Sequence, residues 1–116
     1  MLQSKQERVL NTLISVVGDR QQMLANNLTN VNTPGFVRKD IDFNGVMQKV
    51  LKDGSTARDV DKIVENTTYD DYDSKASYEK ELAEMAKNHL HYLLLTRING
   101  HIYKNLEEAT QSGRAA

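Results

Sequence analysis

The 116-residue chain contains no cysteine and no tryptophan, and aromatic residues make up only 6% of it. The absence of cysteine excludes disulfides, thiol nucleophiles and thiolate metal sites. No apolar run approaches the ~20 residues that span a bilayer, so no membrane span is predicted. Residues 1–10 also lack the apolar core of a secretory signal peptide. We therefore expect a chain that stays in the cytoplasm or leaves it without a cleaved signal.

Strong positive charge is also missing. The formal net charge is −1, and basic residues are interspersed with acidic ones. A nucleic-acid partner requires a basic patch facing the phosphates, so no nucleic acid is expected. Only 39% of the residues are apolar, against roughly 45–50% in typical globular chains. Such a chain forms at most one domain with a modest core, and a partner would supply more surface to bury.

The first third of the chain has the spacing of an amphipathic helix, which we place at Ser4 to Asn30. Gly18 weakens the middle of this helix by up to roughly 1 kcal/mol relative to alanine. Its apolar residues recur every seven positions, with three more beside them: Leu10, Val17, Leu24 and Val31, then Leu13, Val16 and Leu28.

The last third predicts a second, longer helix from Lys75 to Ser112. Ser74 or Ser77 is placed to cap its start, and Gly113 to end it. Its residues repeat every seven positions in a seam with polar members: Tyr78, Leu82, Met85, His89, Tyr92, Thr96, Asn99, Tyr103, Leu106 and Thr110.

The middle third has no long hydrophobic period. We expect short irregular or partly helical structure over residues 40–52. Residues 53–76 are expected to form an extended or mobile connection, with one short strand near Lys62 to Glu65. The acidic residues Asp70, Asp71 and Asp73 predict a solvated loop, and a catalytic carboxylate pair is a remote alternative.

The fold prediction is all-α, with two long terminal helices that form an antiparallel coiled coil and a short irregular middle segment. The segments are 1–32, 33–76 and 77–116, within one structural unit. Pairing the helices hides one side of each, so the remaining apolar residues call for other subunits. The predicted seam consists of Leu10, Leu13, Val17, Leu24, Leu28, Leu82, Met85, His89, Tyr92, Asn99, Tyr103 and Leu106.

The most distinctive stretch is 25–36, with the sequence Ala-Asn-Asn-Leu-Thr-Asn-Val-Asn-Thr-Pro-Gly-Phe. Asn and Thr side chains bond to nearby backbone and compete with helix. Proline disfavours helical geometry at the residue before it, and glycine takes positive φ readily. The pattern predicts a helix end that runs into a defined turn, formed by Asn26, Asn27, Asn30, Asn32, Thr33, Pro34, Gly35 and Phe36.

This stretch resembles the signature of the bacterial flagellar axial family, the rod and hook proteins, and departs from it only at Thr29. The segment Glu79 to Asn88 is similar to the same region of proximal rod proteins of the family. The resemblance implies a structural rod subunit that needs no cofactor or metal, with the 25–36 turn contacting neighbouring subunits. The implied partners are copies of itself, other rod proteins, the MS-ring/rod junction and the export gate. It also implies type III export and a location in the periplasmic rod of the basal body.

Two other identities fit part of the pattern. A cytoplasmic helical adaptor or chaperone that binds a partner helix would explain the amphipathic ends but not the asparagine-rich turn. A neighbouring rod paralogue would share the turn and the terminal helices. A helix C-terminus with turn chemistry would by itself explain the Asn, Thr, Pro and Gly residues.

Two possible metal sites are weak. The sequence from Asp40 to Gly45 matches the opening of an EF-hand calcium loop, but Leu51 stands where a bidentate glutamate is required. His89 and His91 are two residues apart on a helix and point to different faces. We expect a polar turn at the first site, and a packed, hydrogen-bonded His89 in the seam.

Overall fold

The computed structural model describes residues 5–53 and 60–115, and it contains four helices and two short strands within those ranges. The chain is mainly helical, with the longest helices at its two ends, as the heptad spacing predicts. In chain order the elements are α1 (Lys5–Thr29), β1 (Arg38–Ile41), α2 (Phe43–Asp53), α3 (Val60–Thr67), β2 (Thr68–Asp71) and α4 (Tyr78–Ala115).

The two terminal helices pack against each other in opposite directions. Asn11 near the start of α1 contacts Asn99 far along α4, with 3.3 Å between the two side chains. Asn27 near the end of α1 contacts Glu81 near the start of α4, at 3.2 Å. This order of contacts confirms the predicted antiparallel pair. At ~1.5 Å per residue, α4 is roughly 20 Å longer than α1, so its C-terminal end extends past its partner.

The apolar core lies between α1 and the middle segment. Leu95 is an α4 residue that packs against this core. Three further apolar side chains of α1 with heptad spacing are buried on a common face: Leu10, Val17 and Leu24. The main cluster is formed by Leu13 and Val16 of α1, Ile41 of β1, Val46 and Val50 of α2, and Ile63 of α3.

The starts of α2 and α4 have side-chain caps. The hydroxyl of Ser77 accepts a hydrogen bond from the backbone N–H of Lys80 at 3.1 Å, so Ser77 is the N-cap of α4. The carboxylate of Asp42 accepts one from the N–H of Gly45 at 3.1 Å and caps α2 in the same way. Between the two predicted caps of α4, the structure selects Ser77.

The middle segment differs from the sequence prediction in two ways. The strand expected near Lys62 to Glu65 is wrong, because these residues lie within α3. Two strands form instead at β1 and β2, which pair antiparallel with Arg38 opposite Asp71 and Ile41 opposite Thr68. Their sequences, RKDI and TYDD, have too few apolar residues to show the alternation that identifies a strand.

One boundary prediction also changes. The last helix continues past Gly113 to Ala115, so this glycine does not end it. Part of the predicted mobile connection, residues 54–59, lies outside the described residues. Among the described helices, none combines the length and the hydropathy that crossing a membrane requires.

Candidate assembly interface and its buried polar network

The end of α1 forms the turn predicted from the asparagine-rich stretch. The side-chain nitrogen of Asn30 donates to the backbone carbonyl of Asn26 at 2.8 Å, and the side-chain oxygen of Asn30 accepts from the hydroxyl of Thr33 at 3.1 Å. The N–H of Phe36 then donates to the carbonyl of Thr33 at 3.2 Å. With Gly35 at a φ of 74°, residues 33–36 form a type II turn. Nearby side chains therefore form hydrogen bonds with backbone groups at the end of α1.

The positive φ of Gly35 predicts an opposite response at two glycines. Gly35→Ala is expected to lower the free energy of unfolding by ~1–2 kcal/mol, because a Cβ is strained in the left-handed region. Gly18→Ala, inside α1, adds a Cβ that meets no atom within 4 Å other than its chain neighbours and the nearby backbone of its own helix, and it is expected to raise this free energy by roughly 0.5–1 kcal/mol. Urea unfolding followed by circular dichroism measures both changes. Equal effects at the two glycines would contradict this assignment.

Asn27 lies outside the turn, in the interior of the chain, where its side chain is completely buried. Its amide nitrogen donates to the carbonyl of Lys39 at 2.7 Å and to the carboxylate of Glu81 at 3.2 Å. Its oxygen accepts from the N–H of Lys39 at 3.1 Å. One asparagine thus connects α1 to both β1 and α4, because an amide both donates and accepts. The structure places Asn27 apart from the exposed asparagines of the same stretch.

Arg38 of β1 binds carboxylates from two other elements. Its guanidinium contacts Glu81 of α4 at 2.9 Å and Asp71 of β2 at 2.8 Å, and Asp40 is 3.5 Å away. Its side chain is 2% exposed, and Glu81 is completely buried. Desolvation by burial acts to lower the pKa of Arg38, but the hydrogen bonds to Glu81 and Asp71 raise it above its ordinary value. The ion pairs keep this arginine charged in the interior.

Arg20 of α1 forms the second half of the network. Its guanidinium makes a bidentate pair with Asp40, at 2.7 and 3.0 Å, and reaches Glu84 of α4 at 2.9 Å. Such fork-shaped pairs combine charge with fixed geometry. We call Arg20, Arg38, Asp40, Asp71, Glu81 and Glu84 the charge cluster. It joins α1, both strands and α4.

Asp71 gives the cluster a defined response to pH. Burial acts to raise the pKa of Asp71, but the hydrogen bond from Arg38, together with those from the N–H groups of Asp73 and Ser74, lowers it below its ordinary value. A carboxyl whose pKa is depressed on folding stabilises the folded state above its unfolded pKa of ~3.9. That contribution is lost as the pH falls through the folded value.

We therefore expect Asp71→Asn to be less stable than the parent near neutral pH, with the difference shrinking as the pH falls below ~4. Urea unfolding at a series of pH values measures the difference. Asp73→Asn is the matched control, because Asp73 is exposed. A gap between parent and Asp71→Asn that stays constant down to acid pH would refute the linkage.

The predicted seam residues of the two helices lie in different environments. On α1, Leu10, Leu13, Val17 and Leu24 are buried and Leu28 is partly buried. On α4, Met85 and Asn99 are partly buried. The remaining predicted seam residues of α4 are exposed in the single chain: Leu82, His89, Tyr92, Tyr103 and Leu106.

The face of α4 that meets α1 is rotated by one residue from the predicted line. Glu81 and Asn88 are buried, and Leu95 and Ile102 are partly buried, again at a spacing of seven. The expectation that Leu82 and Leu106 are covered by α1 is therefore wrong for the single chain. A place for them in a seam between subunits stays a prediction.

A broad apolar surface of α4 is left open to solvent. Leu82 is 54% exposed, Leu90 64% and Leu94 57%. Monomeric proteins rarely expose large contiguous apolar patches unless these bind a partner. We call this set the outer surface of α4: Tyr78, Leu82, Leu90, Leu93, Leu94, Ile98, Tyr103 and Leu106.

The exposed turn adds a second candidate contact region. Asn26, Asn32, Thr33, Pro34 and Gly35 are exposed, and Asn30 and Phe36 are partly buried. A groove of about 360 Å³ lies between residues 30–37 and the Lys75–Ala76 segment that precedes α4. This groove and the outer surface of α4 are candidate contact regions for a neighbouring molecule.

The metal sites considered from the sequence do not form. Asp40, in β1, pairs with Arg20 of α1, and Asp42 caps α2. These residues therefore do not form a calcium loop. His89 is exposed and stacks on Tyr92, with ring centroids 6.2 Å apart, which corrects its expected packing in the seam. Within residues 5–53 and 60–115, no group of three or more His, Cys, Asp or Glu side chains could hold a metal ion.

The prediction of a solvated acidic loop at Asp70, Asp71 and Asp73 is wrong in part. The sequence analysis also did not identify the buried charged residues of the network. Asp71 is a strand residue that pairs with Arg38, although Asp73 is exposed. Arg20, Arg38 and Glu81 were missed, because charged residues on amphipathic helices usually face solvent. Their partners lie up to 64 residues away in the chain, and no local spacing reveals such pairs.

Comparison with known proteins gives a partial match to one kind of protein. No family model matches the chain. It is 42% identical over 41 residues to the flagellar basal body rod protein FlgB of Yersinia ruckeri. It is also 38% identical over 47 residues to FlgB of Escherichia coli strain K12. These matches cover 35% and 40% of this chain, and 30% and 34% of the two relatives.

The chain thus matches about a third of the length of these relatives. A third similarity, to FlgB of Proteus mirabilis strain HI4320, is 42% identity over 43 residues. All three proteins are flagellar rod proteins by description, in accord with the resemblance of the asparagine-rich stretch. Over roughly a third of its residues, the chain is similar to the rod proteins of the bacterial flagellum.

Proposed function

We propose that this chain is a structural subunit of the flagellar basal-body rod, of the same kind as FlgB. In this role it stacks helically with copies of itself and with other rod proteins, and it transmits torque without performing catalysis. The observation that carries the proposal is the outer surface of α4, whose leucines and tyrosines are open to solvent. Burying such surface contributes ~25 cal/mol per Å², so contact between subunits would stabilise the assembly.

The shape of the chain supports a packing role. The molecule is elongated, with principal extents of 66 × 25 × 18 Å, because α4 runs along its whole length. Apolar side chains exposed on several sides of a long helix offer contact to more than one neighbouring helix. The turn at residues 33–36 is exposed just after the end of α1, beside the residues that precede α4. In this proposal the turn contacts the next subunit.

Partners and location follow from the same proposal. The chain would contact copies of itself, other rod proteins, the MS-ring/rod junction and the export gate. It would lie in the periplasmic rod of the basal body and reach it through the flagellar export apparatus, without a cleaved signal peptide. The partial similarity to FlgB supports this assignment over a neighbouring rod paralogue.

Gene deletion in the bacterium that encodes the chain tests the proposal directly. We expect non-motile cells without complete rods in electron micrographs of purified basal bodies. A plasmid copy of the gene should restore both. Motile cells with intact rods after deletion would overturn the proposal.

Complementation with surface variants then tests the role of α4. Leu82→Gln and Leu93→Gln are expected to change the free energy of unfolding by less than about 1 kcal/mol, because about half of each side chain is already exposed to water. They should nonetheless reduce incorporation into rods. Glu107→Gln is the control, since Glu107 is also exposed on α4 but polar. Normal incorporation of both leucine variants would exclude the outer surface as the contact.

The competing role, a helical adaptor, makes a different prediction. An adaptor would be recovered in the cytoplasm with a client protein, whereas a rod subunit would be recovered in purified basal bodies. Mass spectrometry of the two fractions distinguishes them.

A further inference from the structure

We infer that the projecting end of α4, residues 106–115, docks into the groove beside the 33–36 turn of a second copy of this chain. The groove is the one between residues 30–37 and the Lys75–Ala76 segment. A contact of this kind rests on the proposed function, since it specifies which surfaces of two stacked copies meet. It pairs one end of each copy with the opposite end of the next.

The two surfaces lie at opposite ends of the molecule. The groove lies where α1 ends and just before α4 begins. At the other end, the contact between Asn11 and Asn99 sets the register of the antiparallel pair, so Lys5 of α1 is level with about residue 105 of α4. Residues 106–115 therefore project beyond the part of α1 that the structure describes. A copy displaced along the long axis brings its groove to this projecting end.

The side of α4 that faces α1 continues into the projecting end. Asn99 contacts α1, and Leu106 follows it at the spacing of seven that keeps residues on one side of a helix. Leu106 is 43% exposed, and Tyr103, three residues earlier on the same face, is 61% exposed. Leu106 therefore lies on the line that α1 covers elsewhere, beyond the described start of α1. The end of α1 in the next copy, with its turn, is placed to continue that line.

The groove suits apolar side chains of this size. Its volume of about 360 Å³ is within the range of small-ligand pockets, so it holds one or two side chains and not a whole helix. Apolar grooves recognise helices through side chains three or four residues apart, the spacing of Tyr103 and Leu106. Asn30 and Asn32 also line the groove and can bond to a tyrosine hydroxyl. The apolar lining residues are Val31, Pro34, Phe36, Val37 and Ala76.

Contact between two different surfaces does not close on itself. Each added copy keeps a free groove at one end and a free α4 end at the other, so addition continues as an open helical stack. An isologous dimer through the outer surface of α4 would instead use the same surface twice and stop at two copies. Head-to-tail contact therefore fits the repeated stacking of the proposed function, and it leaves the outer surface of α4 free for lateral neighbours.

Cysteine cross-linking in purified basal bodies tests the contact, and the chain has no cysteine of its own. The double variant Asn32→Cys with Leu106→Cys places one thiol at the groove and one on the projecting end. Within one chain the two positions are separated by the length of α1, roughly 35 Å, so a short bis-maleimide joins them only between copies. We expect a ladder of covalent multimers on denaturing gels.

The matched control is the double variant Asn32→Cys with Glu108→Cys. Glu108 is exposed two residues after Leu106, on the opposite side of α4. This variant should lose the ladder. The single variant Leu106→Cys should stay monomeric, and covalent dimers from it would overturn the inference, because the same surface would then meet itself.

The remaining outcomes separate this contact from the proposed function. Absence of the parent chain from purified basal bodies overturns the proposed function, and the contact with it. If the chain is present but the two double variants give the same ladder, or neither gives one, the contact is overturned and the proposed function stands.

Serine variants decide the case in which the cysteine variants do not enter rods. Leu106→Ser and Glu108→Ser both change residues beyond the described start of α1, so each should shift the midpoint of urea unfolding by less than about 0.3 M. Incorporation into basal bodies should fall at least about threefold for Leu106→Ser, because it removes the apolar side chain from the contact. It should stay unchanged for Glu108→Ser. Equal incorporation of the two variants would overturn the contact.

Discussion

Replacing Arg38 by alanine is expected to lower the free energy of unfolding by ~3–5 kcal/mol. Arg38 contacts Glu81, Asp71 and Asp40, and Glu81 has no exposure to water. Removing one partner of a buried ion pair leaves the other charge without compensation, which costs more than the pair itself contributes. Small domains are stable by only ~5–15 kcal/mol, so the variant would be close to unfolding at room temperature.

Urea unfolding of the variant, followed by circular dichroism, measures this loss. Lys39→Ala is the matched control, because Lys39 is the next residue in β1 and its side chain is 59% exposed, 3.9 Å from Asp70. An exposed pair of that kind contributes less than ~1 kcal/mol. Similar losses for the two variants would show that the charge cluster does not hold the strands to α4.

A second substitution separates the lost attraction of the ion pairs from the cost of leaving Glu81 buried without its partner. Changing Glu81 to Gln in the Arg38→Ala background removes the uncompensated charge, so we expect part of the lost stability to return. The remaining deficit reports the ion pairs of Arg38 with Asp71 and Asp40. No recovery would mean that an uncompensated charge on Glu81 does not account for the loss.

The terminal helices could be predicted because their signals are local. Leu10, Val17 and Leu24 repeat every seven residues, and the structure buries all three. Pro34 and Gly35 likewise determine a turn through their own backbone preferences. Neither feature depends on a distant part of the chain. Spacing and residue type are therefore sufficient to predict both the helices and the turn.

The packing face of α4 could not be predicted in the same way. The apolar spacing of Leu82 and Leu106 suggested one face, but the chain turns Glu81 and Asn88 inward. Glu81 can be buried only because Arg38 and Asn27 lie opposite it, and both are more than 40 residues away in the sequence. A periodicity argument assigns polar residues to solvent, so it misses a helix whose buried anchors are polar.

The strands were missed for a related reason. β1 has a single large apolar residue, Ile41, and β2 has Tyr69. Four-residue strands are too short for alternation to be seen. Their pairing is instead stabilised through Arg38 and Asp71, which lie directly opposite each other in register. The same cross-strand pair that fixes the sheet also explains why Asp71 does not form a solvated loop.

The buried Asn27 and the exposed Asn32, both in the 25–36 stretch, should respond very differently to replacement by aspartate. Asn27→Asp is expected to lower the free energy of unfolding by ~3 kcal/mol or more, because it removes two buried donors and sets a carboxylate beside Glu81. Asn27→Ala loses the hydrogen bonds without adding a charge, so a smaller loss of ~1–3 kcal/mol is expected. Asn32→Asp, at an exposed position, should change stability by less than about 0.5 kcal/mol.

Urea unfolding ranks the three variants, and rod incorporation in complemented cells shows what each asparagine is for. Asn27→Asp should fail to incorporate because the subunit itself is poorly folded. If Asn32 contacts a neighbour through the exposed turn, Asn32→Asp should fold normally and yet incorporate poorly. Equal stability of Asn27→Asp and Asn32→Asp would remove the distinction between an internal connector and a surface asparagine. The buried position of Asn27, between Lys39 and Glu81, implies that part of this stretch acts within the subunit, before any neighbour is present.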